Sequence, residues 1–236
     1  MTDAHGHVSC GDPAIREFLI GRDFVGVHPW EVMGNRRIVE SSNRRICDES
    51  EDGDVVSSLR IRLESDPSLG IGEIGLDRLK DRNITPRMRE VFEAQLKLAL
   101  EFRRPVVLHG AKCWGQVVHT IQSMIRRFDD STISRFLFHG FSRSDGLIPD
   151  IVALNGYISV GPAVLNDHAV NYRVLVKKIP LDRLLLETDR TLENAATCPS
   201  VRAVAAKVAD LRGLALAELE AVTDRNADEF WYNTSK

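Results

Sequence analysis

Residues 70–77 read Gly-Ile-Gly-Glu-Ile-Gly-Leu-Asp. The run is short, glycine-rich and apolar, and it carries a carboxylate at Glu73. That is the composition of a buried strand that delivers one charged side chain. Four other apolar runs do the same with a histidine or a carboxylate. They are Asp3-Ala-His-Gly-His7, Pro105-Val-Val-Leu-His109, Arg135-Phe-Leu-Phe-His139 and Leu184-Leu-Leu-Glu-Thr-Asp189. Together they supply His5, His7, Glu73, His109, His139 and Asp189, all common metal ligands. In a parallel α/β barrel the chemistry is assembled at the carboxyl ends of the strands, so this placement points to a barrel enzyme. Five of the seven histidines (5, 7, 28, 109 and 139) fall at such positions.

Strand candidates lie near residues 2–6, 24–28, 70–75, 105–109, 135–139, 157–160 and 183–187, with helical patterns between them. Thr85-Pro86 supplies an N-cap and a first-turn proline, and Met88, Val91, Phe92, Ala99 and Phe102 follow at helical spacing. A helix over 145–155 stops at Gly156, one over 199–212 at Gly213, and a last helix runs from Ala215 to about Tyr232. Alternating strands and helices imply a parallel sheet. Seven strands are counted, not eight: between His7 and Val25 lie 17 residues, too few for a helix, a strand and another helix. Asp12-Pro13 is read as the start of a short helix through about Ile20. The expectation is a single domain over 1–236, a distorted or incomplete TIM-like (β/α) barrel of about seven parallel strands, its second βα unit shortened.

Composition sets bounds on function. Hydrophobic content of 43% and charged content of 28% over 236 residues fit one globular core. No apolar run is long enough for a membrane span, and Asp3 with two histidines stands where a signal peptide would be basic and then apolar. Cys10, Cys47, Cys113 and Cys198 are scattered with no C-x-x-C pair, so a reducing cytoplasm is expected. The net charge of −3 excludes a global field for nucleic acid. The basic pairs Arg36/Arg37, Arg44/Arg45, Arg126/Arg127 and Lys177/Lys178 read as solvated faces, so any DNA contact must come from a local groove.

Side chains alternate along a strand, so Asp3, His5 and His7 point to one side, where two imidazoles can grip one cation. Imidazole suits zinc and its neighbours, and carboxylate also admits manganese and magnesium. Glu73 can bridge two cations through its two oxygens. Glu187 and Asp189 share a face by the same alternation, which places Asp189 to bind metal or to take a proton from metal-bound water.

These motifs, with Gly26-Val-His-Pro29, Phe138-His-Gly-Phe-Ser142, the helix Phe92–Phe102 and the closing Asn226 and Phe230, resemble the TatD family of metal-dependent hydrolases, of the amidohydrolase superfamily. The resemblance covers nearly the whole chain. It implies a divalent-metal deoxyribonuclease with two metal ions (Zn, Mn or Mg) that attacks single-stranded DNA or oligonucleotides through a metal-bound hydroxide. It implies further that His5 and His7 hold one metal, that Glu73 bridges, and that His109 and His139 hold the second. Asp189 would ligate and act as base, while His28 and Glu187 lie beside the metals and contact phosphate or orient water.

Departures bear on substrate. Ala111 stands where the family often has arginine, Arg190-Thr191-Leu192 replaces Ser-Pro-Tyr or Ser-Pro-Phe, and Arg143 replaces a glycine. Lys112, Arg143 and Arg190 can rebuild an anion site, and Trp30 and Trp114 can stack on a base. Asp3 is expected to orient a ligand, Asp77 to close the turn after its strand, His119 to lie on the surface, His168 to sit near the active face, and Cys113 to be inert. Two alternatives are an ester or amide hydrolase on the same centre and a metal-bound scaffold without activity.

Overall fold

The computed structural model describes residues 1–33, 53–80, 82–128 and 134–232. Arg36/Arg37, Arg44/Arg45 and Cys47 lie outside the described residues. The strands are β1 (Thr2–Gly6), β2 (Arg16–Leu19), β3 (Phe24–Val25), β4 (Gly70–Asp77), β5 (Val106–Ala111), β6 (Phe136–Phe138), β7 (Gly156–Val160) and β8 (Leu184–Leu186). The helices are α1 (Pro29–Met33), α2 (Gly53–Ser65), α3 (Pro86–Phe102), α4 (Trp114–Phe128), α5 (Ile148–Ala153), α6 (Val170–Lys178), α7 (Val201–Arg212) and α8 (Leu216–Tyr232). Contacts divide the chain into two compact units, one of Met1–Ile20 with Phe136–Lys236 and one of Gly21–Arg135.

In the unit of Gly21–Arg135, β3, β4 and β5 form a parallel array with Phe24 opposite Gly70 and Gly75 opposite His109. Helix α3 starts where the sequence implies, with the Thr85 hydroxyl accepting from Met88 N–H at 3.1 Å. It buries Met88, Val91, Phe92, Leu96 and Ala99. It also buries Gln95, whose side-chain oxygen accepts from Val27 N–H at 2.7 Å and whose amide donates to Val27 O at 3.1 Å. That pair of bonds holds the extended segment that carries His28.

In the other unit β1 pairs with β2, and β6, β7 and β8 form a second array, both parallel. Asn226 of α8 donates to the carbonyls of Leu181 and Leu184 at 2.8 Å each, fixing the entry of β8. Ser200 caps α7 at its start, and left-handed Gly213 (φ 66°) ends it. Among the described residues, no helix is long and apolar enough to cross a membrane.

The described residues contain eight strands, one more than the sequence count. Residues 16–19, expected in a short helix, form β2. Asp12 does accept from Ala14 N–H at 2.9 Å, but this makes a turn and no helix follows. The local signal is overridden by distant partners. Arg16 hydrogen-bonds Thr2 Oγ1 at 3.0 Å and pairs with Asp228, and Phe18 stacks on Trp231 at 4.7 Å. The shortened second unit therefore keeps its strand and loses its helix.

Gly75 carries a positive φ of 150°, and a Cβ there would come within 2.0 Å of the His109 carbonyl oxygen. Backbone cannot yield as a side-chain tip can. Gly75→Ala is expected to cost about 2–4 kcal/mol of unfolding free energy, seen as a lower urea midpoint with an unchanged slope.

Candidate metal centre

In the unit of Gly21–Arg135, His28, Glu73 and His109 bring one nitrogen or oxygen each within 4.8 Å of one another. Glu73 is 4% exposed, and its Oε1 lies 2.6 Å from His109 Nδ1 and 3.4 Å from His28 Nε2. Nδ1 of His28 accepts from the Trp30 backbone N–H at 3.1 Å, so the proton of neutral His28 sits on Nε2. His109 Nε2 lies 2.8 Å from Asp77 Oδ2. Burial draws the Asp77 carboxyl upward, but the bonds from His109, Lys80 N–H, Trp30 and Leu79 N–H outweigh it. They hold Asp77 well below the usual carboxylate range.

In the other unit His5, His139 and Asp189 likewise converge within 4.8 Å. The half-exposed Asp189 places Oδ1 3.5 Å from His5 Nε2 and 3.6 Å from His7 Nε2, and the His5 and His139 rings are 4.2 Å apart. Burial would raise Asp189, but the His5 and His7 imidazoles and the charge of His139 hold it far below the ordinary range. Glu187 is buried behind it and accepts from Ser159 Oγ at 2.5 Å and Gly140 N–H at 2.9 Å. Its carboxyl is pushed up to about 7, first by burial. Asp3 ties β1 to the segment after β8, accepting from Thr188 N–H at 2.9 Å and Thr188 Oγ1 at 2.6 Å. Burial lifts it to about 6.

His5, His139 and Asp189 offer two imidazoles with one carboxylate, and Glu73 with His109 offers one of each, donor types that suit a borderline divalent ion. The 2.6 Å approach of a buried carboxylate oxygen to an imidazole nitrogen also requires a proton or a cation between them. The residues present thus fit a divalent metal.

A cleft of about 1330 Å³ opens onto Glu187, Thr188 and Asp189. Its walls include Arg143, His168, Asn171 and Tyr172, with Val170 and Val174 as an aliphatic strip along α6.

The family model for TatD related DNase matches residues 21–232. The chain belongs to the TatD family. His5 and His7 precede the matched stretch. The chain is 30% identical over 166 residues to the uncharacterized metal-dependent hydrolase YabD of Bacillus subtilis, covering 67% of this chain and 63% of that relative. It is 27% identical over 128 residues to the 3'-5' ssDNA/RNA exonuclease TatD of Edwardsiella piscicida, covering 54% of this chain and 47% of that protein. The chain therefore spans less than two thirds of the length of either. The crystal structure of YjjV, a TatD homologue from Escherichia coli, superposes with a TM-score of 0.69 at 23% identity, over 95% of this chain and 79% of that one. The likeness is one of fold, the α/β architecture of TIM-barrel type that the strand order implies.

Glu187 and Asp189 follow β8, and Asp189 adopts a left-handed φ of 50°, so their convergence on His139 comes from that turn and not from strand alternation. Of the basic candidates in this unit, Arg143 lines the cleft, whereas Arg190 donates to the Ala195 carbonyl and braces its own loop. Lys112 belongs to the other unit, exposed and left-handed at φ 57°. Trp114, expected to stack on a base, is 5% exposed and packs on Gly110, where any Cβ would meet its ring. The indole of Trp30 donates to Asp77 at 2.8 Å. His119 is exposed on α4, and His168 reaches the cleft. Sequence reading missed Asn171 and Tyr172. Their only signal is position on α6, in register with the cleft-facing Val170 and Val174.

Cys113 is buried, and its thiol is pushed up to about 12, chiefly by burial. At pH 8 about one molecule in ten thousand then carries the thiolate, the form that alkylates. Iodoacetamide should leave Cys113 unlabelled in the folded chain and label it after denaturation, as read by peptide mass spectrometry. Rapid labelling in the native state would contradict this environment.

Proposed function

We propose that the chain is a divalent-metal-dependent phosphodiesterase acting on single-stranded DNA or short oligonucleotides. The observation that carries the reading is the Asp189 carboxylate, set 3.5 and 3.6 Å from two histidine nitrogens and opening into a cleft that Arg143 lines. Metal would be held by His5, His7, Glu73, His109, His139 and Asp189, with Zn, Mn or Mg as candidate ions and two as the proposed number. Bound metal would supply Lewis acidity, polarising a phosphoryl oxygen and making water more acidic.

The chain's own groups do the rest. Asp189 is held ionised, so it is available at neutral pH to ligate, and its position beside His5 and His7 makes it the proposed acceptor of the proton from the attacking water. Glu187, fixed by Ser159 and Gly140, orients water beside Asp189. His28 presents Nε2–H to a phosphate oxygen, and the Arg143 guanidinium matches the paired oxygens of a phosphate. Similarity to the 3'-5' ssDNA/RNA exonuclease TatD of Edwardsiella piscicida supports a nucleic-acid substrate.

A second reading, hydrolysis of a carboxylic ester or amide, is favoured by one feature. The aliphatic strip of Val170 and Val174 lines the same cleft, 61% and 47% exposed.

The test is cleavage of a short labelled single-stranded DNA by metal-free protein given back Mg²⁺, Mn²⁺ or Zn²⁺. Asp189→Asn should lower turnover by about 10³-fold while the protein stays folded. Arg143→Ala should lower kcat/KM by roughly tenfold, the loss of one phosphate contact worth about 1.4 kcal/mol. Full activity in Asp189→Asn would sink the mechanism. Absence of DNA cleavage with every ion, alongside p-nitrophenyl ester hydrolysis indifferent to Arg143→Ala, would select the second reading.

A further inference from the structure

The turn after β4 uses one oxygen of Asp77: Oδ1 accepts from Leu79 N–H at 2.6 Å and Lys80 N–H at 3.0 Å. Oδ2 is directed elsewhere. It accepts from Trp30 Nε1 at 2.8 Å and lies 2.8 Å from His109 Nε2, with Asp77 fully buried. An ionised carboxylate is an acceptor only, so Nε2 of His109 carries a proton toward Asp77. Nδ1 is thereby turned toward Glu73 Oε1 at 2.6 Å and His28 Nε2 at 3.3 Å. Trp30 acts at both histidines, because its backbone N–H sets His28 as the Nε2–H form. Both rings carry a proton on Nε2, but they aim it differently: His28 presents it toward the centre, whereas His109 gives it to Asp77 and turns Nδ1 toward Glu73, where the 2.6 Å approach needs a proton or a cation. Lys80 Nζ stands 3.7 Å over the Trp30 ring and packs the indole onto this arrangement.

We propose that Asp77, steered by the Trp30 indole, is a positioning residue that locks His109 in the Nε2-protonated tautomer and so makes Nδ1 a metal donor. Trp30 is then a part of the centre's scaffold and not a base-stacking platform. The purpose of the lock rests on the metal-dependent reading above, but its operation does not require DNA hydrolysis.

The experiment is long-range ¹H–¹⁵N correlation on histidine-labelled protein, metal-free and loaded with Zn²⁺, together with Zn²⁺ affinity from chelator competition. In the unsubstituted chain His109 should show a protonated Nε2, and Zn²⁺ should ligate through Nδ1. In Asp77→Asn the amide should donate where Oδ2 accepted, moving the proton to Nδ1 and weakening Zn²⁺ by about 10–100-fold. Trp30→Phe keeps the carboxylate and loses one donor to it. It should leave the Nε2 proton in place, shift its resonance, and weaken Zn²⁺ less. Should Asp77→Asn fail to fold, Trp30→Phe decides alone. Unchanged His109 resonances and an affinity within twofold, in whichever variant folds, would overturn the proposal. A chain that binds no Zn²⁺ at all would instead sink the metal reading, and the metal-free spectra would still test the lock.

Discussion

Buried carboxylates must be balanced, and this requirement organises both units. Asp3, Glu73, Asp77 and Glu187 are all 4% exposed or less. A carboxylate taken out of water without donors or a counter-charge either costs several kcal/mol or gives up its charge. Asp3 is balanced by Thr188 and still rises to about 6; Glu187 is balanced by Ser159 and Gly140 and rises to about 7. Asp77 collects four donors and stays ionised. Glu73 instead faces imidazole nitrogens, the arrangement in which a divalent cation relieves the most.

How the chain bends at its strand ends follows from the same need. Among the described residues, five non-glycine residues have positive φ. Arg103 and Asn155 end helices, where a left-handed residue is common. Lys112, Arg143 and Asp189 follow β5, β6 and β8, within a few residues of His109, His139 and Glu187. A left-handed non-glycine residue costs about 1–2 kcal/mol. Strain of that order concentrated beyond ligand-bearing strands marks where backbone direction is set by side-chain placement. Asp189 is the clearest case: its backbone N–H bonds the His5 carbonyl at 3.1 Å, so the turn that aims its carboxylate is pinned to β1.

Much of this was legible in sequence because it is local. Apolar runs ending in ligands gave the strands, Thr85-Pro86 gave the start of α3, and Gly213 gave the end of α7. What was not legible depends on partners far along the chain. β2 exists through Thr2, Asp228 and Trp231, some of them more than 200 residues away, and no local pattern encodes that. Asp77 reads correctly as a turn residue from its place after a strand, yet one carboxylate oxygen is enough for the turn. The second oxygen's bonds to Trp30 and His109 appear only in three dimensions.

The cleft shows the limit from the other side. A valine at 170 or 174 looks, in sequence, like part of a helix's buried stripe, and the true buried stripe of α6 is Leu175 and Val176. The exposed valines are therefore surplus to packing, and they line the space next to Glu187 and Asp189. The charges around them are mostly committed: Lys178 pairs with Asp145, and Arg190 is spent on the Ala195 carbonyl. A wall of this kind grips a polyanion weakly through charge and discriminates by shape and apolar contact. Under the proposed phosphodiesterase reading, and in a chain of net charge −3, selectivity would rest on what fits against α6 beside Arg143.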